Sequence, residues 1–280
     1  MENSTMAATH ALVTGASAGI GAAFARELAA RGQPLLLTAR RADRLDALAA
    51  ELRARHGVDV QCLPHDLAQP DAPRLLCEEI ERRGLAVDTL VNNAGYGVTG
   101  SFVSRDWPTH ADFIQVMMTA PTELCHRLLP GMRERGSGRI VNVASLAGLI
   151  PAPAGHTLYA ASKAYLVKFS QALALENRAH GIRVCALCPG FTYSEFHDVN
   201  GARELLTDMP KWLWMEAEPV VRQALAALDR GEIVHVTGGV NRTIKRLFKL
   251  LPDRLALRLI DRRGKDFRVG DDTPPRQSSS

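Results

Sequence analysis

The feature that most restricts what this chain can become is a regular alternation of short apolar runs with stretches of helical period. It opens with Thr9-His10-Ala11-Leu12-Val13-Thr14, a run of strand length, followed by Gly15, Gly19 and Gly21. Ile20, Phe24 and Leu28 then recur at fours until Gly32 stops the pattern. Pro34 to Ala39 is the next apolar run, and Leu45, Leu48 and Leu52 mark one face of the helix after it. Further strands are expected at Val58–Leu63, Asp88–Val91, Arg139–Ser145, Ile182–Cys188 and Glu232–Thr237. Asp71 and Pro73 open a helix that closes at Gly84, and a long helix is expected from Asp106 and Pro108 through Leu128, with Pro121 inside it. Strand and helix in strict alternation predict an α/β fold, a doubly wound parallel sheet with helices on both faces. No internal repeat or linker divides residues 9–240.

Bulk composition narrows the function classes. With 46% hydrophobic and 23% charged residues the chain has ordinary globular composition. No apolar run is long enough to span a bilayer and no secretory signal opens the chain, so a cytoplasmic address is expected. Cys185 and Cys188 have C-x-x-C spacing, but on a strand residues three apart point to opposite faces, so they read as buried small hydrophobes. No histidine falls in a metal-binding arrangement, and no metal is expected. The net charge of +4 hides an asymmetry: Asn241 to Lys265 holds nine Lys or Arg against Asp253 and Asp261, leaving −3 on the rest. A slightly acidic body argues against nucleic acid as a partner.

Three constellations carry chemistry. Gly15, Gly19 and Gly21 between strand and helix form a phosphate cradle, where backbone N–H groups approach a pyrophosphate beside the positive end of the helix. Arg40 and Arg41 follow the second strand, where an acid would hold the ribose hydroxyl of NAD; instead two guanidinium groups stand ready for a phosphate, which predicts NADP(H), unless both merely cap the strand in water. Tyr159 and Lys163, four apart, share one face if the segment is helical, and a nearby ammonium would favour the phenolate. Ser145 ends a strand at the edge where open α/β sheets bind ligands.

Taken in order, Thr14-Gly15-x-x-x-Gly19-x-Gly21, Asp66-Leu67, Asn92-Asn93-Ala94-Gly95, Ser145, Tyr159-x-x-x-Lys163 and Pro189-Gly190 resemble the short-chain dehydrogenases/reductases of the single-domain type. The resemblance implies a Rossmann-type sheet of about seven strands, a nicotinamide cofactor, and a homodimer or homotetramer. It implies that Tyr159 is the acid/base, that Lys163 tunes it and holds the nicotinamide ribose, and that Ser145 hydrogen-bonds the substrate oxygen. It also implies cofactor contacts from Gly15, Ser17, Gly19, Ile20, Gly21, Arg40, Arg41, Asp66, Leu67, Asn93, Ala94, Gly95, Pro189, Gly190 and Thr192. The expected activity is NADP(H)-dependent interconversion of an apolar carbonyl compound and a secondary alcohol.

The chain departs from the family's pattern in three places. The family's catalytic asparagine falls on Met117, whose thioether cannot relay a proton; the alternative this raises is an NADP(H)-binding regulatory or scaffold protein without turnover. Pro121, four residues on, has no N–H, so the Met117 carbonyl is expected to be free to hold a relay water. The interval from Ser145 to Tyr159 is one residue longer than the family's, and the loop with Pro151 and Pro153 is expected to absorb it. Beyond residue 240, Ile244, Leu247, Phe248 and Leu251 keep helical spacing among basic residues. This extension over 241–265 is expected to pack its apolar face on the domain or a partner subunit; peripheral contact with an anionic membrane is the alternative. Residues 1–8 are expected to be a loose leader, and 266–280 has a disordered composition. In the substrate loop, 190–215, Phe191, Phe196, Trp212 and Trp214 are expected to favour an apolar substrate.

Overall fold

A computed structural model describes residues 9–193 and 210–264 of the chain. The leader, the tail beyond 265 and Phe196 lie outside the described residues. Seven strands form one sheet in the order β3-β2-β1-β4-β5-β6-β7, every pairing parallel. They are β1 (Thr9–Thr14), β2 (Leu35–Thr38), β3 (Val60–Cys62), β4 (Ala86–Asn92), β5 (Gly138–Val143), β6 (Ile182–Cys188) and β7 (Val234–Val236). The connecting helices are α1 (Gly19–Ala30), α2 (Ala42–His56), α3 (Ala72–Arg82), α4 (Trp107–Ile114), α5 (Ala120–Glu134), α6 (Thr157–Asn177) and α7 (Ala217–Asp229).

Successive residues of a strand face opposite sides, so each continuous apolar run serves two cores at once. On one side Val13, Leu35 and Leu37 meet Phe24, Leu28, Val221 and Leu225. On the other, Leu12, Leu36, Leu90 and Ile140 meet Leu76, Leu124, Leu129 and Leu173. Cys185 and Cys188 fall into different clusters and are both buried and free, in keeping with their reading as small core residues. Strand order reverses between β1 and β4, and the carboxyl ends of these strands bound the crevice where such sheets take their ligands.

One element differs from expectation. The long helix is interrupted: between α4 and α5, residues Gln115–Thr119 form a π-turn, in which the Ala120 N–H reaches back to the Gln115 carbonyl. Pro121 stands in the first turn of α5, a position that tolerates its missing N–H. The extension is two helices, α8 (Gly239–Leu250) and α9 (Asp253–Gly264), separated by Leu251-Pro252.

Candidate active site

The glycine turn after β1 is built against the end of β4. The Thr14 hydroxyl accepts the N–H groups of Asn93 and Ala94, both at 2.9 Å, and donates to the Val91 carbonyl. The Asn93 amide closes the clamp on the carbonyls of Thr14 and Gly15, at 3.0 and 3.3 Å. Two glycines are required by space: Gly15 has φ +64°, and a Cβ there would stand 2.8 Å from the Ala94 Cα. A Cβ on Gly21 would overlap the Gly15 carbonyl. The turn therefore presents bare backbone at the N-terminus of α1, which begins at Gly19. That is the cradle a pyrophosphate needs, so the residues fit the expected cofactor. Asn93 and Ala94 lie against Gly15, with Gly95 next in the chain, and Ser17 and Ile20 belong to the turn itself and the first helical residues.

Arg40 is exposed at the end of β2, and Arg41 donates to the Ser17 hydroxyl at 3.1 Å, so the Arg41 guanidinium borders the cradle. Asp66 accepts the Ala68 N–H at 3.1 Å in the turn after β3, with Leu67 buried beside it. Pro189 and Gly190 follow β6; the Pro189 carbonyl takes the N–H of Leu146 at 2.9 Å and thereby ties this turn to the segment after Ser145. Thr192 is buried and pairs with Met215 across the base of the substrate loop.

Ser145, Tyr159 and Lys163 meet at the carboxyl end of β5. Ser145 caps a short 3-10 turn, Leu146–Gly148, its Oγ accepting the Ala147 N–H at 3.1 Å, and it shares a hydrogen bond with the Tyr159 hydroxyl. The longer interval between them is thus absorbed without separating them. Gly148 lets the turn lie directly on α6, since a Cβ there would stand 2.6 Å from the Lys163 carbonyl carbon. Lys163 is buried and donates to the Val143 carbonyl at 2.8 Å.

The phenol corrects one expectation. Burial pushes the Tyr159 pKa up and the Ser145 hydrogen bond only partly opposes it, so the phenol is raised, not lowered. The reason is geometric: the Lys163 ammonium is turned to Val143 and lies 5.7 Å from the centre of the Tyr159 ring. Burial brings Lys163 itself down to about 8.

The Met117 side chain is buried against Gly95, where a Cβ would come 2.9 Å from the sulfur. A small cavity beside it, with about 10 Å³ open to the centre of a water molecule, is lined by Thr14, Asn92, Met117, Pro121 and Val143 among others. The sequence motif contains Asn92 but gives it no role of its own. Its amide donates to Asn142 Oδ1 at 2.9 Å and to the Pro121 carbonyl at 3.3 Å, while Asn142 donates to Ser170 at 2.9 Å. A polar residue at the carboxyl end of each apolar run, Val91-Asn92 and Val141-Asn142, was the available signal. His156 was missed as well; its ring meets that of Tyr159 edge to face at 6.3 Å, and burial lowers its pKa.

Comparison with known proteins decides the family. The sequence profile described as short chain dehydrogenase matches residues 9–204. The chain belongs to the short-chain dehydrogenase family. Within it, the chain is 38% identical over 239 residues to nodulation protein G of Rhizobium sp. (strain N33), covering 81% of this chain and 92% of that one. Among solved structures, a short-chain dehydrogenase from Sphingobium yanoikuyae in complex with NADPH shares 33% identity at a TM-score of 0.76, over 87% of this chain and 96% of that one. A bulky-bulky ketone specific alcohol dehydrogenase from Comamonas testosteroni shares 31% at a TM-score of 0.71, over 87% and 95%. This short-chain dehydrogenase is therefore an oxidoreductase of a family that binds a nicotinamide cofactor. No described helix is long and apolar enough to cross a membrane, and no metal-binding cluster occurs among the described residues.

Proposed function

We propose that the protein is an NADP(H)-dependent oxidoreductase that interconverts an apolar carbonyl compound and a secondary alcohol. The observation that carries this reading is the Ser145–Tyr159 hydrogen bond at the carboxyl end of β5, with Lys163 one turn away. When bound, the nicotinamide supplies the hydride in reduction and takes it in oxidation. The chain's task is the oxygen. Negative charge develops on it as hydride arrives, and two positioned O–H donors, Ser145 and Tyr159, stabilise that charge; Tyr159 hands over its proton. The raised pKa of Tyr159 suits a proton donor in the protein without cofactor, and the Lys163 cation is the group able to bring it down once reoriented.

Gly15, Ser17, Gly19, Ile20 and Gly21 would hold the pyrophosphate, with Asn93, Ala94, Gly95, Asp66 and Leu67 along the adenosine side and Pro189, Gly190 and Thr192 along the nicotinamide side. Arg41, already joined to Ser17, and Arg40 would take the ribose phosphate, which supports NADP(H) over NAD(H). The NADPH complex of the Sphingobium relative agrees with that choice. The apolar substrate is supported by the base of the substrate loop. There Trp214 packs on Tyr193 and Phe191, with ring centres 4.9 and 5.4 Å apart, while Trp212 is exposed. The ketone-specific relative is in keeping with this. We place the enzyme in the cytoplasm as a homodimer or homotetramer.

The regulatory alternative rested on Met117. Its side chain is occupied in packing, and Pro121 supplies no N–H to its carbonyl, which with the adjoining water-sized cavity supports a relay through the backbone instead. The test is titration with NADPH and NADH followed by turnover against a panel of apolar ketones, using the native enzyme and Tyr159→Phe. We expect preference for NADPH, turnover of some member, and loss of about two orders of magnitude in kcat in the variant with NADPH binding retained. NADPH binding without turnover would return weight to the regulatory reading, and equal kcat in the variant would remove Tyr159 from its role.

A further inference from the structure

The extension after β7 has an inner and an outer face of different character. Inward, Asn241 is buried, donates to the Thr237 carbonyl at 2.8 Å, and lies so close to Gly190 that a Cβ there would stand 2.5 Å from its amide. Ile244 packs against the cluster of Leu146, Leu166 and Val236, and Ala256 of α9 is buried. Outward, Leu247 is 58% exposed and Leu250 83%, one helical turn apart on α8. Leu255 and Leu259, also one turn apart, and Leu257 are exposed on α9. The expectation that the apolar face packs away on the domain is therefore met only in part. A lone exposed leucine, such as Leu257 on the far side of α9, means nothing, but the pairs Leu247 with Leu250 and Leu255 with Leu259 on two consecutive helices make a patch.

Basic residues border this patch: Arg242, Arg246 and Lys249 on α8 and Arg254 and Arg258 on α9 are all exposed. Five of the nine basic residues from Asn241 to Lys265 are thus exposed on these helices, beside Asp253 and Asp261, while the rest of the chain carries −3. A second copy is a poor occupant, because a two-fold contact would set this basic patch against itself. An anionic bilayer matches both features, leucines entering the headgroup boundary and cations meeting the lipid charge, while the acidic body is repelled and fixes the orientation.

We propose that α8 and α9 form a peripheral binding surface for anionic lipid bilayers. Because Asn241 holds α8 against Gly190, the bilayer then borders the wall that carries the Pro189-Gly190 turn. An apolar substrate dissolved in lipid would reach the enzyme from that side. Only this consequence rests on the proposed activity; the binding surface does not.

The experiment is co-sedimentation of the full chain with vesicles of phosphatidylcholine, with and without about 30% phosphatidylserine, at low and high salt. It needs no turnover, so its failure and failure of the reductase reading are separate events. Two double variants at exposed positions accompany the native chain: Leu247→Glu with Leu250→Glu, and Arg246→Glu with Lys249→Glu. We expect binding to the anionic vesicles only, released by salt and weakened about tenfold or more in each variant, with NADPH titration unchanged. Failure to pellet with anionic vesicles, or pelleting equal to native in both variants, overturns the proposal. So does a particle mass by light scattering that halves in the leucine variant, which would give the face to a second copy.

Discussion

Replacing Lys163 by methionine keeps the length of the side chain and removes its charge, and the consequence for stability depends on pH. Lys163 is buried, with one bond to the Val143 carbonyl, and its pKa falls from 10.5 to about 8. In the unfolded chain the same amine holds its proton to near ~10.4. Between these values the unfolded state binds the proton and the native state does not, so stability must rise with pH across that window. Below pH 8 both states are protonated and the native protein bears the full cost of a buried cation. A separation of roughly 2.5 units corresponds to about 3 kcal/mol, most of it regained by pH 10.

The measurement is urea unfolding of native protein and Lys163→Met, without cofactor, at intervals from pH 7 to 10. Other titrating groups move both proteins alike, so the difference between the two unfolding free energies isolates Lys163. We expect native protein to gain on the variant by about 2–3 kcal/mol over that range. Parallel profiles would refute the reasoning, for they would mean that Lys163 is solvated or that an unnoticed anion holds it protonated.

Other expectations follow from single contacts. Arg41→Ala should weaken NADPH binding by about 10- to 100-fold and leave NADH binding nearly unchanged, because it removes a charge-assisted phosphate contact; titration by nicotinamide fluorescence reads both. Gly21→Ala should cost about 1–3 kcal/mol in urea unfolding and weaken both cofactors, since its Cβ overlaps the Gly15 carbonyl. Pro121→Ala restores an N–H that can bond the Met117 carbonyl, so kcat should fall with NADPH binding retained. An unchanged kcat there would exclude a relay through that carbonyl.

Much of the fold was legible because parallel strands covered on both faces leave continuous apolar runs, and glycine must follow β1 where the backbone approaches β4. The placement of Arg40, Arg41 and Ser145 just after strands and of Tyr159 and Lys163 in the first two turns of a helix was legible in the spacing. What could not be read was the state of the groups. The spacing of Tyr159 and Lys163 put them on one face, but a side chain that long can choose its partner, and Lys163 chose the Val143 carbonyl. The direction of the Tyr159 shift followed from that choice and from burial, neither of which is written in a four-residue interval.

The helix around Met117 shows the same division between position and form. A proline four residues downstream predicts a missing hydrogen bond, and the missing bond is what leaves room for the π-turn over Gln115–Thr119. The turn also needs support from outside the helix. Asn92 provides it, holding the Pro121 carbonyl from β4 while bonded through Asn142 to Ser170 of α6, the helix that carries Tyr159 and Lys163. Met117 fills the space over Gly95, so a residue without polar chemistry still fixes where its own carbonyl stands. A position that looks disabled by its side chain is thus one whose contribution can run entirely through the backbone, with the geometry set by Pro121 and the buried amide chain beside it.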